Sequence, residues 1–288
     1  MGSAKQDVEL ERFDSIFSLE GKVAVVSGGS RGLGLNAASG LLQAGCSKVY
    51  ITSRKAQACA DAVAALNALP NKRPGAVAVS VPADSSKIAD IERLAAEVAR
   101  STDHVDILFA NAGTSWGAPI ETYPEEAFSK VMDLNKYHPL NNANTAPVQK
   151  FAPLFKARAT TTNPSRVIVT ASIAGLGVGT VGENATYAYS ASKAAVIHLA
   201  KNLAVGLGPY GVITNAIAPG FYPTTMAKGL MELEGGQATM AHESPNKRLG
   251  LAEDMAGLVV FLSSRASAHI NGAVITTDGG YVLAKGRL

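Results

Sequence analysis

The chain has 288 residues, 47% of them hydrophobic and 17% charged, which is enough for a sizeable core and excludes a wholly disordered protein. The net charge of +3 gives no electrostatic basis for binding nucleic acid or a membrane surface. Two cysteines, Cys46 and Cys59, cannot form a disulfide framework, so a reducing, cytoplasmic location is expected. The polar N-terminus has no signal-peptide core. The longest uncharged run, 202–227, contains too many Gly and Pro residues for a membrane span.

Seven short runs rich in Val and Ile predict β-strands. They are continuous apolar clusters, as expected of strands covered on both faces. The predicted strands are 22–27, 48–52, 76–81, 105–110, 166–171, 212–217 and 273–276. Helical stretches separate them. The clearest has Ile88, Ile91, Leu94, Ala95 and Val98 on one face, with Ser85 or Ser86 as N-cap, and another is predicted over 254–262, ending near Ser263.

Strands that alternate with helices indicate an α/β fold. We predict a single doubly wound Rossmann-type domain of about seven mostly parallel strands with helices on both faces. The domain is predicted over 19–288, after a loose tail at 1–18. The stretch 221–249 fits no strand and is predicted to be a lid-like insertion at the carboxyl edge of the sheet. Its methionines, Met226, Met231 and Met240, could contact an apolar substrate or be ordinary packing residues.

A glycine-rich loop follows the first predicted strand. It reads Ser27-Gly28-Gly29-Ser30-Arg31-Gly32-Leu33-Gly34, and a predicted helix continues from Leu35. Glycines allow a tight turn that brings backbone N–H groups against a pyrophosphate at the helix N-terminus. The order strand, glycines, helix favours a dinucleotide site over a glycine-rich turn without a ligand.

The second predicted strand indicates which dinucleotide binds. An NAD site would place a carboxylate near its end for the ribose hydroxyls, but no Asp or Glu occurs between Gly21 and Ala60. That position has Ser53 and Arg54, and Arg31 is in the glycine loop. Two guanidinium groups suit a 2′-phosphate, so NADP(H) is predicted. The alternative is that both arginines are solvated surface residues.

Tyr189 and Lys193 lie four residues apart in a predicted helix, which places them on one face. A tyrosine with a pKa of about 10 is a poor base at neutral pH. A neighbouring ammonium is expected to lower that pKa, so that the tyrosine exchanges a proton with a carbinol oxygen while hydride moves to or from nicotinamide. Tyr281 and Lys285 repeat the spacing, but no helix is predicted after them.

Further motifs accompany this pair in one order along the chain. They are the glycine loop, Ala110-Asn111-Ala112-Gly113, Asn135, Ser172, Tyr189 with Lys193, Pro219-Gly220 and Asp278-Gly279-Gly280. In this order they resemble the short-chain dehydrogenase/reductase family over essentially the whole chain from Leu19.

The resemblance implies four catalytic residues. Ser172 would polarise the substrate carbonyl, and Tyr189 would be the general acid in reduction. Lys193 would hold the nicotinamide ribose and lower the tyrosine pKa, and Asn135 would hold a proton-relay water. Two plainer interpretations stay open: Asn135 as a helix-kink residue and Ser172 as a strand-end cap.

The resemblance also implies a set of cofactor contacts. Asn111 would line the cofactor channel, Asp84 would meet the adenine, and Thr224 would approach the carboxamide. The full predicted set is Gly28, Ser30, Arg31, Gly32, Leu33, Gly34, Ser53, Arg54, Asp84, Asn111, Ala112, Gly113, Tyr189, Lys193, Pro219, Gly220 and Thr224.

Some positions depart from the family pattern. Ser27 replaces the usual threonine and keeps its hydroxyl, and Ala110 replaces the first Asn of the usual pair. The gap between Ser172 and Tyr189 is a few residues longer than usual, and the fifth strand has a long lead-in at 159–165. Both insertions are expected to enlarge the rim of the substrate pocket.

The favoured function is an NADPH-dependent ketone reductase. The stretch 218–226 looks like that of 3-oxoacyl-carrier-protein reductases, especially the rhamnolipid-pathway branch, so a 3-oxoacyl thioester is the first substrate class. A secondary-metabolite ketone of polyketide type, or a sugar or polyol, is the alternative. An acyl carrier partner would need a basic rim, for which Lys150, Lys156 and Arg158 are candidates, unless they are only a solvated helix face.

A second hypothesis, from another class, is a non-catalytic regulator that senses NADP(H). Such proteins usually lose the tyrosine or lysine, and here both are present. The resemblance implies a homo-oligomer, a tetramer or dimer. No metal site is expected, because the five histidines lack ligand spacing. Ser172 lacks the G-x-S-x-G setting of a hydrolase nucleophile.

Overall fold

The computed structural model describes residues 8, 10, 12–137, 146–233 and 235–284. All seven predicted strands are present, with ends within two residues of the prediction. They are β1 Val23–Ser27, β2 Lys48–Thr52, β3 Val77–Ser80, β4 Ile107–Ala110, β5 Ser165–Thr170, β6 Val212–Pro219 and β7 Val274–Thr277. They form one sheet in the order β3-β2-β1-β4-β5-β6-β7, and every neighbouring pair is parallel. The predicted Rossmann-type fold is therefore confirmed.

Helices cover both faces of this sheet. They are α1 Gly32–Gln43, α2 Ala56–Asn67, α3 Ile88–Ala99, α4 Glu125–Tyr137, α5 Ala146–Lys156, α6 Tyr187–Leu207, α7 Thr225–Leu233, α8 Gly236–Glu243, α9 Ala252–Ser263 and α10 Tyr281–Ala284. One apolar cluster packs α3, α5 and α6 on one face, and a second packs α1, α2 and α9 on the other. Among the described residues, no helix is long and apolar enough to cross a membrane.

The strand order reverses direction between β1 and β4. From β1 the chain builds outward through β2 and β3, and it then returns to the other side of β1 with β4. The loops after β1 and β4 diverge at this point and leave a crevice at the carboxyl edge of the sheet, where open α/β folds bind their ligands.

The start of α3 corrects two predictions. Neither Ser85 nor Ser86 caps the helix: the N-cap is Lys87, which makes no side-chain cap hydrogen bond. The hydroxyl and the backbone N–H of Ser86 both donate to Asp84 Oδ1, over 2.7 and 3.0 Å, so Ser86 closes a turn ahead of the helix instead. Ile88 was predicted to be buried but is exposed, because it is the first helical residue and lies outside the packed stripe.

The described residues of the segment 221–249, all but 234, contain no strand, as predicted, but they do form the helices α7 and α8. Its methionines differ in exposure. Met231 and Met240 are buried as packing residues, whereas Met226 is exposed. The N-terminal segment makes defined contacts from Arg12 onward, where a loose tail was expected. The carbonyl of Ile16 accepts a hydrogen bond from the Ala266 N–H, at 3.3 Å.

A buried ionic cluster lies at the opposite, amino edge of the sheet, around Asp106. The Asp106 carboxylate accepts the Val23 N–H at 2.9 Å and the Lys22 ammonium at 3.2 Å, and it lies 3.3 Å from His104 Nε2. The Asp106 carbonyl accepts the Arg166 N–H at 2.7 Å. Asp106 therefore links the starts of β1, β4 and β5, to β1 through its carboxylate and to β5 through its carbonyl.

Replacing this carboxylate should be costly. Asp106→Asn removes the charge that faces Lys22 and His104, and we expect the free energy of unfolding to fall by about 3–5 kcal/mol, as when one partner of a buried ion pair is lost. Urea denaturation measures it. The control is Glu92→Gln, which breaks the exposed pair with Lys150 and should cost less than about 1 kcal/mol. Equal losses in the two variants would contradict the prediction.

Candidate active site

The glycine loop between β1 and α1 forms a cradle in which two glycines cannot be replaced, because a Cβ there would be too close to neighbouring atoms. Gly28 has φ +61°, and a Cβ there would lie 2.9 Å from the Ala112 Cα. A Cβ on Gly34 would collide with the Gly28 carbonyl. The α1 N-cap, Arg31, makes no side-chain cap hydrogen bond, and the first turn has no acidic residue. The positive end of the helix dipole is therefore available to an anion.

Ser30 and Leu33 complete the cradle. Ser30 lies in the turn before α1, and Leu33 packs partly against the apolar cluster beneath that helix. Gly32 faces Thr224 across the crevice, since a Cβ on Gly32 would lie 3.4 Å from the Thr224 Cγ2. The chain leaving β6 therefore contacts the cradle directly.

Asn111 joins three strand ends beside this cradle. Its backbone N–H donates to Ser27 Oγ at 3.0 Å, and its Nδ2 donates to the Ser27 and Gly28 carbonyls at 3.3 and 3.4 Å. Its Oδ1 accepts the Thr170 hydroxyl at 3.2 Å. The Ala112 N–H also donates to Ser27 Oγ, at 3.3 Å. The Asn111 amide thus connects the ends of β1 and β5 beside the crevice.

The residues predicted to select the cofactor lie at the outer end of the crevice. The side chains of Arg31 and Arg54 are exposed, and among the described residues neither forms an ion pair with a carboxylate. The Ser53 hydroxyl lies 3.1 Å from Cys59 Sγ. Thr52, the last residue of β2, has a buried hydroxyl without a hydrogen-bond partner in the described part of the chain. An anion-binding cradle with two unpaired guanidinium groups fits a dinucleotide that carries an additional phosphate.

Asp84 follows β3 near this end. Burial alone would raise the pKa of its carboxyl group, but hydrogen bonds from the Ser86 hydroxyl and N–H, with the charges of Arg54 and Lys87, lower it overall. Asp84 therefore stays ionised near neutral pH. The charge of Arg54 acts on Asp84, so these two predicted cofactor residues lie near each other.

Ser172, Tyr189 and Lys193 converge at the carboxyl end of β5. The Ser172 side chain lies close enough to Tyr189 to lower the pKa of the tyrosine. Lys193, one turn along α6 from Tyr189, lies with its Nζ 5.6 Å from the tyrosine ring centre. That Nζ donates to the Thr170 carbonyl at 2.7 Å. Ser172 Oγ also accepts the Ala174 N–H at 3.2 Å, which caps a short 3₁₀ helix, so the serine has a structural contact as well.

The electrostatics of this group differ from the sequence-based expectation. Burial raises the pKa of Tyr189, and the Ser172 side chain opposes this only in part. Burial also lowers the pKa of Lys193, to about 8. The expected lowering of the Tyr189 pKa by Lys193 is not seen in this structure, where burial is the largest influence on each of the two groups. Although the Tyr189 ring keeps some solvent contact, protein surrounds it closely enough for burial to dominate.

Asn135 is buried behind this group, near the end of α4. Its Oδ1 accepts the Thr114 N–H, and its Nδ2 donates to the Thr114 carbonyl and to Ser192 Oγ, all at 2.9 Å. A Cβ on Gly113 would lie 3.1 Å from Asn135 Oδ1 and 3.6 Å from Lys193 Nζ. The asparagine side chain thus joins α4, α6 and the loop after β4. That it holds a proton-relay water stays a prediction.

The end of β6 supplies the last predicted cofactor contacts. The Gly220 N–H, directly after Pro219, donates to the Thr277 carbonyl at 3.1 Å, and a Cβ on Gly220 would lie 2.6 Å from the Asp278 Cβ. Thr224 Oγ1 accepts the Ala227 N–H at 3.3 Å at the start of α7. These contacts hold the segment after β6 over the crevice.

Sequence reasoning missed three residues that support the site. Thr170 holds Lys193 through its carbonyl and Asn111 through its hydroxyl, and Thr114 and Ser192 are the partners of Asn135. Nothing in the sequence marks them, since backbone carbonyls and single hydroxyl groups have no spacing signal. Among the described residues no group of His, Cys, Asp and Glu could hold a metal ion; His138 lies outside those residues.

The three cations suggested as a basic rim lie elsewhere and already have partners. Lys150 pairs with Glu92 at 2.7 Å, and Arg158 pairs with Asp103 at 2.7 Å. The Lys156 ammonium lies 3.5 Å from the centre of the Tyr210 ring. Arg158 and Lys156 precede β5, at the amino edge of the sheet, whereas the candidate site is at the carboxyl edge. They do not form a docking rim for this site.

Comparisons with known proteins agree with this geometry. The family model described as enoyl-(acyl carrier protein) reductase matches residues 28–282. The rhamnolipids biosynthesis 3-oxoacyl-[acyl-carrier-protein] reductase of Pseudomonas aeruginosa is 40% identical over 271 residues, which cover 93% of this chain and 98% of that protein. The short-chain dehydrogenase/reductase PhomF of Diaporthe leptostromiformis is 35% identical and covered to 92% on both sides.

Two further matches extend the range of relatives. The 2-dehydro-3-deoxy-D-gluconate 5-dehydrogenase of Escherichia coli K12 is 34% identical, with 93% of this chain and 98% of that protein covered. Among solved structures, the Pseudomonas aeruginosa RhlG/NADP active-site complex superposes with a TM-score of 0.84 at 38% identity, over 93% of this chain and 99% of that one. The chain belongs to the short-chain dehydrogenase/reductase family, as its motifs indicated. It is an oxidoreductase of that family.

The lowered pKa of Lys193 predicts a pH-dependent stability. Because the ammonium is destabilised by burial, the folded state loses its proton near pH 8 and the unfolded state only near pH ~10.4. The free energy of unfolding of the wild type should therefore rise over this interval relative to Lys193→Met, by on the order of 3 kcal/mol. Urea denaturation without added nucleotide measures it. Lys201→Met, which removes an exposed lysine of the same helix, should show no such trend, and a flat difference for Lys193→Met would contradict the prediction.

Proposed function

We propose that the protein is an NADPH-dependent carbonyl reductase whose first substrate class is a 3-oxoacyl thioester. The observation that carries this proposal is the convergence of Ser172, Tyr189 and the buried Lys193, whose Nζ lies 5.6 Å from the Tyr189 ring centre. The three lie at the sheet edge where the glycine cradle opens. A proton donor, an oxygen-binding hydroxyl and a cation therefore face the same crevice as the anion site.

Three residues of this chain have separate roles in the proposed ketone reduction. When bound, the cofactor supplies a hydride from its nicotinamide to the carbonyl carbon. The Ser172 hydroxyl holds the carbonyl oxygen, and the Tyr189 hydroxyl donates its proton to that oxygen as negative charge develops there. The raised pKa keeps Tyr189 protonated and ready to donate. Lys193, with a pKa of about 8, exchanges protons readily near neutral pH and can restore the tyrosine proton.

The preference for NADPH is supported by charge. Arg31 and Arg54 are exposed at the outer end of the crevice, and the sequence has no carboxylate from Gly21 to Ala60. A carboxylate at this place would repel a 2′-phosphate, whereas guanidinium groups bind it in bidentate fashion. The RhlG structure, with which this chain superposes, is an NADP complex.

The choice of a 3-oxoacyl thioester is supported by the 40% identity with the rhamnolipids biosynthesis reductase. A secondary-metabolite ketone of polyketide type, or a sugar or polyol, is the alternative. The 2-dehydro-3-deoxy-D-gluconate 5-dehydrogenase among the relatives supports the sugar. The predicted roles of the segment 221–249 as a lid and of Asn135 in proton relay belong to the same proposal.

We also propose a cytoplasmic homo-oligomer, a tetramer or a dimer. The support is the family resemblance, together with two free cysteines that are both buried. Size-exclusion chromatography with light scattering is expected to give two or four times the mass of 29.7 kDa. A monomer would contradict the proposal.

Replacing the proton donor tests the mechanism. Tyr189→Phe keeps the ring but removes the hydroxyl, so kcat for ketone reduction should fall at least ~100-fold, the usual contribution of general acid catalysis. NADPH binding, measured by fluorescence titration, should be unchanged. Tyr187→Phe is the matched control, because Tyr187 lies two residues away in the same helix and has Ala191 four residues on. Retained activity in Tyr189→Phe would contradict the assignment, and a wild type that binds NADPH but reduces no ketone would favour the regulator.

Removing one arginine tests the cofactor preference. Arg54→Ala should raise the KM for NADPH about tenfold or more, since a charge-assisted contact to phosphate is lost, and should leave the KM for NADH nearly unchanged. Arg100→Ala removes an exposed arginine at the end of α3 and should affect neither. Equal changes for both cofactors in Arg54→Ala would contradict a role in 2′-phosphate binding.

A further inference from the structure

Exposed apolar side chains are concentrated around the mouth of the catalytic crevice. We call six of them the apolar rim: Trp116, Leu176, Val178, Val181, Met226 and Leu283. Their exposed fractions range from 44% to 83%. Single exposed apolar residues are normal on a protein surface, whereas a cluster of them around a crevice is typical of a binding site.

The loop between Ser172 and Tyr189 supplies three members of the rim. It leaves the end of β5 at Ser172 and enters α6 just before Tyr189, so both of its ends lie at the site. Leu176, Val178 and Val181 all lie on this loop. It contains the additional residues that lengthen the gap between the two catalytic side chains.

One side of the loop contacts the segment that bears Trp116. The Ala118 N–H donates to the Ala185 carbonyl at 3.1 Å. A Cβ on Gly117 would lie 2.9 Å from the Asn184 carbonyl oxygen, so the two segments touch without room for a side chain. Trp116 is therefore held next to the end of the loop.

The other side of the loop contacts the C-terminal helix α10. A Cβ on Gly177 would lie 3.6 Å from Val282 Cγ2, which places Leu283 near this part of the rim. The Tyr281 ring meets the Phe221 ring edge to face, with centres 5.0 Å apart. Phe221 begins the segment that leads to Met226. The contacts thus run around the mouth from the loop after β4 to the loop after β6.

The absence of charge in these segments favours an apolar substrate over a sugar acid. The stretches 112–120, 171–182, 217–227 and 279–284 contain no charged residue. A sugar acid needs a cation for its carboxylate and polar partners for its hydroxyl groups, because buried polar groups left unpaired are costly. An alkyl chain needs only apolar surface from which water is released.

We propose that the apolar rim binds the alkyl chain of an apolar 3-oxoacyl substrate and sets the preference for chain length. The inference rests on the proposed reductase function, which it deepens by naming the residues that recognise the substrate outside the reacting carbonyl. Val178 and Val181 are the specificity-determining residues of the lengthened loop.

A chain-length series tests the proposal. The wild type is assayed with NADPH on N-acetylcysteamine thioesters of 3-oxo acids from butanoyl to decanoyl, and on 5-keto-D-gluconate. We expect kcat/KM to rise about threefold per added methylene that is buried, with little turnover of the sugar acid. In the double variant Val178→Ser/Val181→Ser the rise should be clearly shallower.

The control is Val205→Ser. This residue is 80% exposed and lies on α6 sixteen residues beyond Tyr189, about 24 Å along the helix, so the same change there should leave the series unaltered. An unchanged series in the double variant, or better turnover of 5-keto-D-gluconate than of any thioester, would overturn the inference and leave the reductase function intact. A changed oligomeric mass in the double variant would also overturn it, because the rim would then be a contact between copies.

Binding is observable without turnover, because Trp116 is the only tryptophan of the chain. Titration with the decanoyl thioester of N-acetylcysteamine, which has no 3-oxo group, should shift the tryptophan emission to shorter wavelength, and the butanoyl thioester should not. This shift is expected whether or not the protein reduces ketones, so it separates the two proposals. No difference between the two thioesters would overturn the role of the rim.

Discussion

The Asn111 side chain holds the active-site edge of the sheet together. Its amide N–H groups bind carbonyls of the glycine cradle, and its oxygen accepts the Thr170 hydroxyl. Thr170 in turn holds the Lys193 ammonium through its own carbonyl. The anion cradle after β1 and the catalytic helix α6 are thereby positioned by one connected set of hydrogen bonds. Partly buried bonds of this kind are stronger than exposed ones, because less water competes for them.

Burial governs the chemistry of the catalytic group. A buried lysine prefers to lose its proton and a buried tyrosine prefers to keep it, since both neutral forms avoid the cost of a charge without water. The same burial that raises the Tyr189 pKa lowers that of Lys193. The tyrosine therefore keeps its proton, as the proposed role of proton donor requires, and the lysine has a pKa of about 8. Sequence reasoning counted only the attraction between the two groups, because the burial of each side chain is not visible in a sequence.

The parts of the fold that could be predicted are those that leave a local pattern in the sequence. The strands were found because parallel strands covered on both faces are continuous runs of Val and Ile, and the Tyr189 and Lys193 pairing follows from helical spacing alone. The Ser86 cap was wrong because Asp84, a residue outside the helix, binds its hydroxyl. Thr170 was missed because its role depends on a backbone carbonyl. Such contacts are decided by tertiary packing, which a single sequence does not record.

The displacement of water connects the apolar rim with the catalytic group. An alkyl chain lying against Val178 and Val181 displaces water from the mouth of the crevice, just above the carbonyl that Ser172 and Tyr189 hold. Hydrogen bonds and charges inside then act in a medium of lower dielectric constant, where they are stronger. Binding energy from the unreactive part of the substrate thereby contributes to the reacting part. A short or polar substrate leaves water at the mouth, so the apolar rim links chain length to the rate of reduction and not to affinity alone.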